Sequence, residues 1–152
     1  MSINPYAPPN AVIQEGVQPE EAPMLWNPNA AANWSLLFTP AFGAYLLMKN
    51  WEALGEPKRA NSAKRWMIAS LILLGLFLTF LPAAAIRTVG FSVLICWYFL
   101  SVRPQVAYIK ERFGTAYPRK GWAKPLLFGV LGIVALIVVM TIVLMVLQTP
   151  TT

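Results

Sequence analysis

Met67 to Ile86 is a run of 20 residues without a charge, and it constrains this chain more than any other stretch. At about 1.5 Å per residue, a helix of that length reaches roughly 30 Å, the thickness of a bilayer's hydrocarbon core. Two more apolar runs follow. Leu126 to Leu147 has 22 residues, rich in Val, Ile, Leu and Met, and Thr88 to Val102 has 15. The shorter run borrows length from a turn at Arg87 and from Arg103, whose long stem can snorkel to the interface. Composition agrees: of 152 residues, 57% are hydrophobic and 12% charged, against roughly 25% charged in soluble domains. A chain this small has too high a surface-to-volume ratio to hide that much apolar surface from water. Lipid is its expected solvent.

The net charge is +6, but its distribution is more informative. Residues 1–48 contain no Lys or Arg. Lys49, Lys58, Arg59, Lys64 and Arg65 form one basic block, and Arg103, Lys110, Arg112, Arg119, Lys120 and Lys124 form another. A basic chain can bind nucleic acid, but these blocks flank apolar spans, so membrane orientation accounts for them and no nucleic-acid partner is expected. Both loops, 49–65 and 103–124, are then cytoplasmic and face anionic lipids. An even number of crossings must separate them. The runs 67–86 and 88–102 supply two, as a hairpin with Arg87 at the far side. Trp51, Trp66 and Trp122 sit beside the basic blocks as interfacial anchors, joined by Arg103, with Trp34 as the opposite anchor.

The stretch before the first block is ambiguous. From Asn33 to Met48 no residue is charged, but Pro40 interrupts the run and removes a helical N–H. Thr39 can cap a new helix with Pro40 at its first position, and Gly55 and Pro57 stop it. The segment either crosses the membrane, placing the N-terminus outside, or re-enters and leaves on the same side. Crossing is the favoured expectation. The predicted fold class is all-α: a polytopic membrane protein of four hydrophobic helical segments, the first broken by proline. Its parts are a disordered tail (1–25), a helical membrane domain (26–147) and a short C-terminal tail (148–152).

Within residues 26–57, a Thr39-Pro40 step, the small residues Gly43 and Ala44, and an Asn50-x-x-x-Leu54-Gly55 ending occur in sequence. This pattern resembles a segment of small bacterial membrane proteins of unknown function. The resemblance implies a bacterial cytoplasmic (inner) membrane protein and carries no activity, cofactor or catalytic residue. Physically, Gly43 and Ala44 admit a neighbouring helix, Asn50 can bond backbone, and Gly55 can take positive φ. Pro40, Gly43, Ala44, Asn50 and Gly55 are therefore packing or partner-binding candidates. Gly75, Thr79 and Ala83, at i, i+4 and i+8 of the second segment, join them. Pro82 is expected to kink that helix.

Little else carries chemistry. Histidine is absent, which removes the commonest base and zinc ligand. Cys96 is the single cysteine, so no intrachain disulfide forms. MSINPYAPPN lacks a basic n-region and an apolar h-region, so it does not read as a signal peptide. Pro5, Pro8, Pro9, Pro19 and Pro23 keep the tail extended. VAYIKERFGTAYPRKGW reads as an amphipathic helix ending at Gly114, with Tyr108, Ile109 and Phe113 toward lipid. No catalytic, metal or cofactor residue is nominated. Two functional readings stand. One is a non-enzymatic membrane protein that binds a partner in the membrane, as an accessory subunit or as an immunity protein against a toxin. The other is a homo-oligomeric, holin-like pore.

Overall fold

The computed structural model describes residues 21–148. The described chain is all-helical: α1 (Pro28–Phe38), α2 (Pro40–Ala53), α3 (Pro57–Phe80), α4 (Ala83–Trp97), α5 (Arg103–Phe113) and α6 (Ala123–Gln148), with a π-helical turn over Tyr98–Val102. Three stretches are long and apolar enough to cross a membrane: α3, the continuous helix Ala84–Phe113, and α6.

Proline sets most of the boundaries. Pro28, Pro40 and Pro57 each open a helix, where a missing N–H has no helical partner to lose. Asn27 caps α1, its Oδ1 accepting from the N–H groups of Asn29 and Ala30 at 3.0 and 3.4 Å. Gly55 closes α2 at φ 70°. Its N–H donates to Glu52 O and that of Glu56 to Trp51 O, the two reversed bonds of a Schellman stop. Pro104 would break the helix it enters, because its nitrogen cannot donate and its ring crowds the carbonyl four residues back. The π-helical turn just before it relieves that conflict: Arg103 N–H reaches back to Tyr98 O, and the helix runs on into α5.

The first hydrophobic segment is not a single helix of membrane length. It is two short helices folded back on each other. Trp26, just before α1, lies beside Asn50, near the end of α2, so the chain enters and leaves at one end of the bundle. At 11 and 14 residues, the two helices reach about 16 and 21 Å, too short for a core of roughly 30 Å. Thr39 makes the tip with φ 88° and ψ 157°, a region that β-branched residues rarely occupy. Thr39 precedes α2 without a side-chain capping bond, contrary to the sequence reading. Trp34 also lies 6.5 Å from Trp122, ring to ring, so it is not an anchor on the opposite side.

Other boundaries move. The turn between α3 and α4 is at Leu81–Pro82, not Arg87, because a residue before proline is pushed into extended backbone; Leu81 has φ −107° and ψ 140°. Pro82 therefore ends the helix rather than kinking it, and Arg87 is an exposed residue within α4. Much of the basic stretches 49–65 and 103–124 is helix, in α2, α3 and α5, rather than loop. The tail reading of 1–25 fails at its last residue: Leu25 is fully buried and bridges to the segment before α6, with Leu25 N–H to Pro118 O at 3.0 Å and Lys120 N–H to Leu25 O at 2.9 Å. Residues 1–20 and 149–152, which carry the rest of the tail readings, lie outside the described residues.

Candidate functional site

The basic end of the bundle is where separate parts of the chain converge. The α1–α2 hairpin sits against α3, with the π-helical turn and α5 on another side. Its centre is a closed polar lock. Trp26 N–H donates to Asn50 Oδ1 at 3.0 Å, and Asn50 Nδ2 donates to Trp26 O at 2.8 Å. The carboxamide thus pairs with Trp26 as a second strand would. Asn50 Nδ2 also reaches Gln105 Oε1 at 3.2 Å, and Gln105 Nε2 donates to Leu47 O at 2.9 Å. Both amide side chains are fully buried, so their bonds replace water that is excluded.

Around the lock, packing is close. A Cβ placed on Gly43 would sit 2.2 Å from Ser35 Oγ and 2.4 Å from a Trp97 ring carbon, so only glycine fits where α1, α2 and α4 meet. Ala44 and Trp97 are fully buried beside it. Trp97 Nε1 is buried and has no hydrogen-bond partner among the described residues, a cost of about 1–3 kcal/mol. Nearer the surface, the Arg59 guanidinium lies 4.9 Å from the Trp51 ring and 4.7 Å from the Tyr108 ring. Tyr108 Oη donates to Glu56 at 2.9 Å and accepts from Arg112. Lys49 is held above its ordinary pKa by a hydrogen bond and charge attraction from Glu52. Tyr117 is raised by burial, with nearby Arg119 opposing the shift.

The nominated residues divide sharply. Pro40, Gly43, Ala44, Asn50 and Gly55 all belong to the hairpin and its stop. Gly75, Thr79 and Ala83 do not form a contact face. Gly75 has open space where a Cβ would be, and Thr79 is exposed, bonding only to Gly75 O at 2.8 Å. Ala83 belongs to α4, across the Leu81–Pro82 turn. Among the anchors, Trp51 is only 3% exposed and packs within the protein, edge-on to Tyr108. Trp66 and Trp122 are half-buried, and Arg103 is exposed. Tyr108 and Ile109 face protein rather than lipid: Ile109 is core, and Tyr108 and Phe113 pack on it. The sequence reading missed Gln105, Trp26, Ser35 and Trp97. An uncharged glutamine two residues after Arg103, just inside the helix that Pro104 enters, was the one available signal for Gln105.

The far half is different. A cavity of about 190 Å³ lies under the hairpin tip, between α3 and α4. Its lining is apolar apart from Ser35, Thr39 and Ser70, and both serine hydroxyls are spent on their own helices, at Ala31 O and Trp66 O. A groove of about 420 Å³ runs between α2, α3 and α6, with Gly132 open in its wall and Gly129 covered by the Phe38 ring. Among the described residues, no three His, Cys, Asp or Glu side chains cluster as metal ligands. Comparison with known protein families, curated proteins and solved structures finds no match to this chain.

Proposed function

We propose that this protein is a non-enzymatic integral membrane protein that binds another membrane protein, as an accessory subunit or in the manner of a toxin-immunity protein. It resides in the bacterial cytoplasmic membrane with its basic end in the cytoplasm. With the hairpin re-entrant, the N-terminal segment shares that side. One observation carries the reading: the groove between α2, α3 and α6 is left unfilled by the chain's own side chains. Only 6% of the apolar window of α6 is buried within the protein, and the groove beside it has the width-giving small residues that helix pairs use.

The pore reading draws less support. A water path needs side chains with free polar atoms. The long helices carry few polar side chains, and Thr79, Ser92 and Thr141 each donate to a carbonyl of their own helix.

Site-specific photo-crosslinking separates the two. A photoreactive residue at Leu71 or Leu136, on the groove, is compared with one at exposed Ile72, outside it. The binding reading expects a discrete heterologous protein adduct from the groove positions alone. Self-adducts of fixed size, together with dye leak from liposomes holding the pure protein, would replace it with the pore.

A further inference from the structure

We infer that the hollow between the start of α1, the outer half of α5 and the segment 114–119 is a binding site for a single phosphate group. Three separate stretches of chain supply its walls, and the hollow measures about 250 Å³. Lys110 comes from α5 and Arg119 from the segment that Leu25 pins by backbone bonds on both sides. Neither cation has a carboxylate within 4.0 Å among the described residues, where the ion pairs are Lys49–Glu52 and Arg59–Glu56. No Asp or Glu lines the hollow. Two exposed cations on the wall of one hollow that has no acidic residue make it attractive to an anion.

The remaining polar lining is rich in donors. Thr115 and Tyr117 bring hydroxyls, and Asn27 and Asn29 bring carboxamides. The α1 N-terminal N–H groups are not the donors, because Asn27 Oδ1 already occupies those of Asn29 and Ala30. Tyr117 keeps its proton well past neutrality, since burial raises its pKa. An arginine fork, an ammonium and several neutral donors match the many acceptor oxygens of phosphate better than the two of a carboxylate. The volume falls below the roughly 300 Å³ at which sites for drug-sized ligands begin, which fits a phosphate and its near substituents rather than a nucleotide. Position along the helix agrees: Lys110 lies about 10 Å beyond Arg103 at helical rise, within reach of the headgroup layer. The phosphate is therefore that of an anionic lipid headgroup or of a free phosphate species.

The full chain is purified in dodecyl maltoside, a detergent without phosphate, and titrated with inorganic phosphate. In parallel it is reconstituted with increasing phosphatidylglycerol, and the thermal midpoint is read in both series. The site predicts a saturable rise. For K110Q/R119Q the required concentration increases at least tenfold, while K64Q/R65Q, which removes the same charge from α3 at the same end, behaves as the unaltered chain. Lys110, Arg119, Lys64 and Arg65 are all exposed, so both doubles are expected to fold; single K110Q serves if K110Q/R119Q does not. A rise with phosphatidylglycerol alone identifies the lipid headgroup, and a rise with inorganic phosphate identifies a free species. No rise in either series, or an equal loss in both doubles, overturns the site.

Discussion

The two ends of this bundle follow different rules. At the basic end, a helical hairpin is held by Asn50, Gln105 and Trp26, wedged by Gly43 and sealed by Leu25. At the far end, α3 and α4 meet at a two-residue turn, and α6 stands almost bare. The contrast teaches where specificity comes from in lipid. Apolar side chains gain little by leaving one hydrocarbon surrounding for another, so bare Leu and Val faces are tolerated. Buried amides have no such indifference. Without water they must find partners, and the geometry of those partners fixes which parts of the chain meet.

Four measurements can break or sharpen that comparison. The largest effect is all-or-none. In a Cys96→Ser background, Met24→Cys and Thr115→Cys react with a membrane-impermeant maleimide from the same face, and Ala84→Cys, at the far turn, reacts from the other. Labelling of Met24→Cys together with Ala84→Cys would restore a crossing first segment.

Next comes Gly43→Val. Its side chain meets Ser35 and Trp97 well inside contact distance, which places it at the upper end of the usual overpacking cost, about 3 kcal/mol. A marked drop in thermal midpoint in detergent is expected; an unchanged midpoint would mean α1 and α2 do not pack as described.

Asn50→Leu follows, at about 3 kcal/mol, because it strands Trp26 N–H, Trp26 O and Gln105 Oε1 together. The double Asn50→Leu, Gln105→Leu should cost less than the sum of its singles, since the stranded Gln105 is also removed. Strict additivity in that cycle would show that the two amides act independently.

The smallest effect is Gly75→Ala. Nothing lies near its Cβ position, so the exposed helix gains up to about 1 kcal/mol from propensity alone. A loss instead would reveal a helix packed against the far half in the membrane.

The errors of sequence reading follow the same division. Gly75, Thr79 and Ala83 looked like a packing stripe because their spacing is helical, yet Leu81–Pro82 separates the last from the others. Trp51 looked like an interfacial anchor because it adjoins Lys49, but Arg59 and Tyr108 enclose it. Tyr108 and Ile109 looked lipid-facing because α5 is amphipathic, and an amphipathic face is equally suited to protein. In each case local pattern shows that a face is apolar and leaves open what covers it.

The sequence by itself determined the three apolar stretches of membrane length, the stops at Gly55 and Gly114, and the helix start at Pro40. These rest on run length, φ preference and the missing proline N–H, all properties of neighbouring residues. Only the tertiary structure decided that the first segment folds back. A 16-residue uncharged run broken by proline suits either path. The choice is made by Asn50, which binds the backbone of Trp26, 24 residues earlier, and the side chain of Gln105, 55 residues later. No local signal encodes a partner at that distance, whereas an unpaired amide buried away from water enforces it.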